Sequence, residues 1–170
     1  GGPPPADRRP GAHRSRPRGP PPPPHPAPPP RPPRDVRAGA TARPGVEDLI
    51  TVAKSHDRRL AIASSSPIDW VEPHLTRLGL VDHFDHLSTR DQVDRGKPAP
   101  DLFLLAAARL GLDPADILVI EDSRHGYAAA RAAGMRCVVV PNAITAHDVH
   151  PDAEIVLESL VDFPFAHFGF

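Results

Sequence analysis

This chain is poor in residues that usually announce a fold. Its 170 residues include one cysteine, one methionine, one tryptophan and one tyrosine. A lone cysteine excludes an internal disulfide. Cys137 lies in the apolar run Cys137-Val138-Val139-Val140, so it reads as a small buried hydrophobe. That usage suits a reducing, cytoplasmic setting. No apolar run approaches the ~18 residues of a membrane span. The N-terminus is basic but lacks a hydrophobic stretch, so no secretory signal is expected. Lysine is confined to Lys54 and Lys97, and arginine carries the remaining positive charge.

Proline is abundant and unevenly placed. Residues 1–34 hold 16 of the 25 prolines, seven arginines and one acid, Asp7. Their formal charge is +6, which leaves −7 on the other 136 residues within a total of −1. With no large apolar side chain to bury, this segment cannot offset its own ordering entropy. Residues 1–40 are expected to form a disordered Pro/Arg-rich tail, with polyproline II character around 19–30. A solvated tail, a ligand for an SH3- or WW-type groove and a basic nucleic-acid arm are the readings open to it. The lack of stacking aromatics disfavours the last, so nucleic acid is not expected as a partner; without a spanning apolar run, neither is a membrane.

From residue 44 the pattern changes. Glu47–His56 predicts a short amphipathic helix and Leu60–Ala63 a buried strand. Ser66 is expected to cap the next helix, with Pro67 at its first position and Gly79 after its last turn. Phe84–Leu87 is a weak strand. A helix opens at Pro100, has Asp101 in its first turn and ends at Gly111. Ile117–Ile120 is the clearest strand, Ser123 caps a helix running to Gly134, and Arg136–Val140 and Ile155–Leu157 are further strands. Continuous apolar strands alternating with helices predict an α/β fold: a Rossmann-like parallel sheet covered on both faces. The domain boundaries read as tail 1–40, α/β core 44–163 and C-terminal tail 164–170.

In such a sheet ligands gather at the carboxyl ends of strands, and three motifs fall there or within reach. Ser64, Ser65 and Ser66 follow a strand, where hydroxyls and free backbone N–H groups can hold a phosphate; plain helix capping is the alternative. Lys97, in Gly96-Lys97-Pro98-Ala99-Pro100-Asp101, can present one point charge to a phosphoryl oxygen or can be a solvated surface lysine. Glu121 and Asp122 suit Mg²⁺, which takes one or two carboxylates with water and phosphate oxygens; they also suit a helix N-terminus on dipole grounds alone. Gly126, a turn later, allows close approach of the helix to sheet or ligand. The pairs His83/His86 and His147/His150 lack a regular third ligand, which disfavours zinc.

Taken together, in this order, the motifs resemble the haloacid dehalogenase-like hydrolases, in particular their β-phosphoglucomutase-like phosphatase branch. The resemblance covers about residues 44–163. It includes Pro44-Gly45-Val46-Glu47, the serine motif, Asp91-Gln92-Val93, Gly96–Asp101, Val119-Ile120-Glu121-Asp122-Ser123 with Gly126, Ala132-Ala133-Gly134-Met135, and Ser159-Leu160. A two-component receiver domain also combines an acid pair, a hydroxyl and a lysine, but with the acids first and the lysine last. The resemblance implies that Ser64, with Ser65, binds the transferring phosphoryl group and that Lys97 neutralises it. It implies Mg²⁺ on Glu121 and Asp122, with Asp101, Ser123 and Gly126 in support. The substrate would be a phosphorylated small molecule such as a sugar phosphate.

The resemblance also implies two parts that this sequence lacks. The family's nucleophile is an Asp-x-Asp motif on a first strand, and no Asp-x-Asp occurs in the 170 residues. In the family that strand lies at the sheet centre, between the strands ending here in Ser64 and Glu121, and a helical cap follows it. Removing it leaves two buried-type strands flanking a slot of roughly two strand spacings, ~10 Å. Their facing backbone groups would need new partners. The two sheet halves are therefore expected to re-pair or to bind something, and the chain alone to be marginally stable. Three readings of function follow: a truncated or mis-framed phosphatase, inactive as written; a pseudoenzyme that binds phosphate or a partner through a Pro-rich arm; or a passive remnant behind a functional arm.

Overall fold

The computed structural model describes residues 1–2, 41–148, 150 and 153–170. The disorder and polyproline II expected between residues 3 and 40 lie outside the described residues.

The run Cys137–Val140 organises the core. Strand β3 (Leu118–Glu121), strand β4 (Arg136–Val139) and strand β5 (Ile155–Val156) form a parallel sheet with β4 in the middle. Leu118 pairs with Arg136, and Val138 with Ile155. Alternation along β4 sends Cys137 and Val139 to one face and Val138 and Val140 to the other. The first face packs with Val119, with Phe103 and Ala107 of helix α3 (Asp101–Leu110), and with Tyr127, Ala129 and Ala130 of helix α4 (Arg124–Ala132). The second face packs with Leu160 and Phe163, and with Val46 and Leu49 of helix α1 (Val46–Ser55). Both faces are covered along Cys137–Val140, which is why that run is apolar at every position. Residues 164–170, which read as a tail, form a short turn whose Phe165, Phe168 and Phe170 pack on this second cluster.

A second, two-stranded parallel sheet joins β1 (Ala61–Ser64) to β2 (His86–Thr89), with Ala61 opposite His86. Helix α2 (Ile68–Arg77) connects them, and α3 packs on both strands. Strand β2 starts two residues later than its sequence suggests. Asp85 is taken up beforehand: its carboxylate accepts the Leu60 N–H at 2.7 Å while its own N–H donates to Leu60 O. This bond, followed by the Lys54 cation, holds the Asp85 carboxyl below its usual range. The start of α2 also departs from expectation. Pro67 is extended at the N-cap, and Ser66 makes no cap bond. Instead Asp91, one turn beyond β2, accepts the Ile68 N–H at 3.0 Å.

The two sheets do not pair with each other: among the described residues β1 pairs only with β2, and β3 only with β4. The expected re-pairing of the halves is thus not the arrangement adopted.

Two contacts fasten the ends of the core. Gly45 has φ +83°, and a Cβ there would overlap the Leu160–Val161 backbone. Gly45→Ala is expected to cost about 1–3 kcal/mol by strain at an unfavourable φ. A urea midpoint equal to that of the parent chain would overturn this. At the other end Glu154 accepts from Arg136 Nη2 at 2.6 Å and Nε at 3.0 Å, and meets His167 Nε2 at 3.0 Å. Arg136 first, and His167 second, pull the Glu154 carboxyl down to about 2. A depressed carboxylate contributes stability above its unfolded value of 4.5 and loses it as pH falls towards 2. Solvent screening keeps that contribution small. A carboxyl ¹³C titration of Glu154 with its midpoint at or above 4.5 would contradict the assignment.

Candidate active site

The carboxyl ends of β1 and β3 open onto one cleft of about 490 Å³. Ser64, Ser65 and Ser66 come to it from the end of β1, and Glu121, Asp122 and Ser123 from the end of β3. Lys97 enters from the loop before α3. The fold therefore brings together every residue that the sequence singles out for phosphoryl and metal binding.

Each side chain is held by local chemistry. Ser64 Oγ accepts the Ser66 N–H at 3.1 Å, so the serine turn closes on itself and keeps the Ser64 hydroxyl at the strand end. The Lys97 loop is closed by Asp101, whose carboxylate takes Arg95 Nη2 at 2.8 Å and Nε at 3.1 Å. That hydrogen bond lowers the Asp101 carboxyl below its ordinary value. Asp101 thus acts on the loop that carries Lys97 rather than on the cleft itself.

Lys97 Nζ forms an ion pair with Glu121 Oε1 and sits 4.6 Å from the Phe103 ring centroid. The two side chains are only 10% and 8% exposed. A buried ammonium needs such partners, because desolvation costs several kcal/mol per ion. The other Glu121 oxygen faces the Asp122 N–H at 3.1 Å, the Ser123 N–H at 3.4 Å and the Ser123 hydroxyl at 3.2 Å. Ser123 Oγ in turn accepts the Gly126 N–H at 3.1 Å and caps α4, as its sequence predicts. A Cβ at Gly126 would overlap the Glu121 carboxylate. The missing side chain of Gly126 is therefore the space in which Glu121 sits.

Two residues of the site escape motif reading. Asn142 donates from Nδ2 to Asp122 Oδ2 at 2.7 Å. Its Oδ1 accepts the Ile144 and Thr145 N–H groups at 2.7 and 3.1 Å, which fixes which end of the amide faces Asp122. The signal available was Pro141-Asn142, a turn pair closing an apolar strand. Arg43 lines the cleft too, donating to Val140 O at 2.9 Å and Pro141 O at 2.8 Å. Nothing in its own sequence context marks it.

Asp122 has one oxygen on Asn142 and lies on the cleft, which suits a cation ligand, whereas both Glu121 oxygens are engaged. Among the described residues no group of three His, Cys, Asp or Glu side chains converges. The set falls short of a protein cage, but Mg²⁺ ordinarily needs only one or two carboxylates with water and phosphate. Cys137 is buried and does not line the cleft. Burial, and then the nearby Glu121 charge, push its thiol up to about 12, so it stays protonated.

Known proteins resemble this chain in sequence and fold. The Bacillus subtilis protein YhcW, named as a phosphatase, is 45% identical over 125 residues, which is 74% of this chain and 57% of YhcW. Hexitol phosphatase B of Escherichia coli K12 is 39% identical over 98 residues, 58% of this chain and 44% of that protein. The crystal structure of CbbY from Rhodobacter sphaeroides in complex with phosphate superposes with a TM-score of 0.72 at 34% identity, covering 76% of this chain and 60% of CbbY. The chain thus spans about half the length of the curated relatives it matches. No helix among the described residues is long and apolar enough to cross a membrane. The family model for haloacid dehalogenase-like hydrolases matches residues 31–134, well over half of the sequence, and the chain belongs to that family.

Proposed function

We propose that this chain is the phosphate-holding part of a phosphatase of the β-phosphoglucomutase-like kind, that it binds phosphomonoesters, and that it does not hydrolyse them as it stands. The observation that carries the reading is the meeting of Lys97, the Ser64–Ser66 turn and the Glu121-Asp122-Ser123 segment on one cleft. The Ser64 hydroxyl and the Ser65 and Ser66 region supply donors to phosphoryl oxygens, and Lys97 supplies the cation. Asp122 would hold Mg²⁺, joined by Glu121 once the phosphate competes for Lys97; the ion would supply charge neutralisation at the phosphoryl oxygens. Asp101 and Asn142 position Lys97 and Asp122. Ser123 and Gly126 shape the seat of Glu121.

Inactivity follows from chemistry that the chain does not carry. Covalent phosphoryl transfer in this family requires a carboxylate nucleophile with a second carboxylate as acid–base, and no Asp-x-Asp is present. A sugar phosphate is the proposed ligand class, in line with the hexitol phosphatase relative. The test is calorimetric titration with glucose 6-phosphate and Mg²⁺, alongside an aryl phosphate turnover assay. Saturable binding that the paired change Lys97→Met with Glu121→Gln abolishes while the chain stays folded, without turnover, is the expected pair of results. Turnover that the paired change removes would overturn the inactivity, and absence of any binding would overturn the phosphate reading.

A further inference from the structure

We propose that Arg43 is a positioning residue for the Asp122 carboxylate, acting through the end of β4 and Asn142. The inference rests on the reading of Asp122 as a cation ligand, and goes beyond it by assigning a residue that lies outside every motif of the site.

The contacts run in one unbroken series. Among the described residues, the last sheet bonds at the cleft end of β4 are the Val140 N–H to Glu121 O at 2.7 Å and the Leu157 N–H to Val139 O at 2.8 Å. The next two carbonyls, Val140 O and Pro141 O, accept from Nη1 and Nη2 of Arg43 at 2.9 and 2.8 Å. Asn142 follows at once. Its Oδ1 accepts the Ile144 and Thr145 N–H groups, and Thr145 Oγ1 accepts its own N–H at 3.0 Å, so side chain and turn are closed into one unit. The aim of that unit is set where it leaves the strand. The peptide bonds there are planar and the proline ring fixes φ, which leaves ψ of Val140 and ψ of Pro141. Those two torsions decide where the two carbonyls point, so holding both carbonyls holds both torsions. Asn142 Nδ2 is thereby kept on Asp122 Oδ2, at 2.7 Å.

Arg43 acts from a fixed base. Its own carbonyl accepts the Val46 N–H at 3.1 Å, which closes the turn into α1. Gly45, at φ +83°, lets that turn lie against the Leu160–Val161 backbone. The side chain therefore spans from a seated helix start to a strand end 97 residues away in sequence. The residue type matters too. A guanidinium presents its donors as a planar fork that can meet two successive carbonyls, whereas an ammonium keeps the charge without the fork. A metal-binding carboxylate depends on the group that orients it, and losing such a partner costs roughly 10–100-fold in metal affinity.

The test uses the full isotope-labelled chain, the variants Arg43→Met, Arg43→Lys and Asn142→Ala, and Mg²⁺ as the probe. Without metal, the Asn142 side-chain amide should exchange with solvent several times faster in both Arg43 variants than in the parent. Mg²⁺ affinity, followed at the Ser123 amide, should fall about tenfold in both. In the Asn142→Ala background Arg43→Met should cause no further loss. Parent-like exchange of the Asn142 amide in Arg43→Met would overturn the proposal. Parent-like behaviour of Arg43→Lys would do the same, by assigning the effect to charge, as would a full second loss on top of Asn142→Ala. A plain strut would lower the urea midpoint and leave the amide exchange and Mg²⁺ affinity of the folded chain unchanged. A parent chain that binds no Mg²⁺ would sink the cation reading of Asp122 alone, and the Asn142 exchange would still decide whether Arg43 positions that carboxylate.

Discussion

Lys97→Met is expected to destabilise the chain by about 3–5 kcal/mol, because it leaves the Glu121 carboxylate buried without its counter-charge. A single domain is typically stable by about 5–15 kcal/mol, so this variant should lose a large fraction of the total. The paired change Lys97→Met with Glu121→Gln removes both charges and is expected to regain most of the loss. Urea unfolding of the parent, both single variants and the double variant gives the coupling directly. Additive losses would mean that the two groups act independently, against the ion pair. Phosphate binding offers a second readout: the double variant should be folded and yet fail to bind, since the cation is gone in both.

Gly126→Ala is the second large effect, and its sign depends on its neighbour. In an ordinary helix the substitution gains about 0.8–1 kcal/mol. Here the new methyl would overlap the Glu121 carboxylate and drive it off Lys97. The cost of a broken buried pair exceeds the helix gain, so a net loss of at least about 2 kcal/mol is expected. In a Glu121→Ala background the obstruction is gone and the same change should become stabilising. A loss of equal size in both backgrounds would place the obstruction somewhere other than Glu121.

Most of the framework was legible because local chemistry and tertiary packing agree. Gly111 has φ +64° after α3, and the Ser123 side chain caps α4. The run around Val138 is apolar throughout because both of its faces are covered. What the sequence misplaced depended on long-range partners. The start of β2 shifts because Asp85 bonds to Leu60, 25 residues away, and the α2 cap comes from Asp91 rather than Ser66. At the site, the residue types and their order picked out Ser64, Lys97, Glu121 and Asp122. They could not reveal that Glu121 spends both oxygens on Lys97 and the Ser123 turn, nor that Asn142 grips Asp122 across 20 residues. Such pairings exist only once two loops have been brought to one cleft.

Helix α3 is the element shared by the two sheets: it packs on β1 and β2, while its Phe103 and Ala107 lie in the cluster under β3 and β4. The three-stranded sheet of β3, β4 and β5 is covered on both faces, whereas among the described residues β1 pairs with β2 alone in a two-stranded sheet. Cooperativity across the molecule should therefore be uneven. The β1–α2–β2 lobe should open at a lower free energy than the rest, as a separate cooperative unit. Each such opening would carry the serine turn away from Lys97. Occupancy of the cleft and closure of the lobe would then be linked, and a ligand bridging the two would tighten amide protection in β1 and β2 before it altered β4.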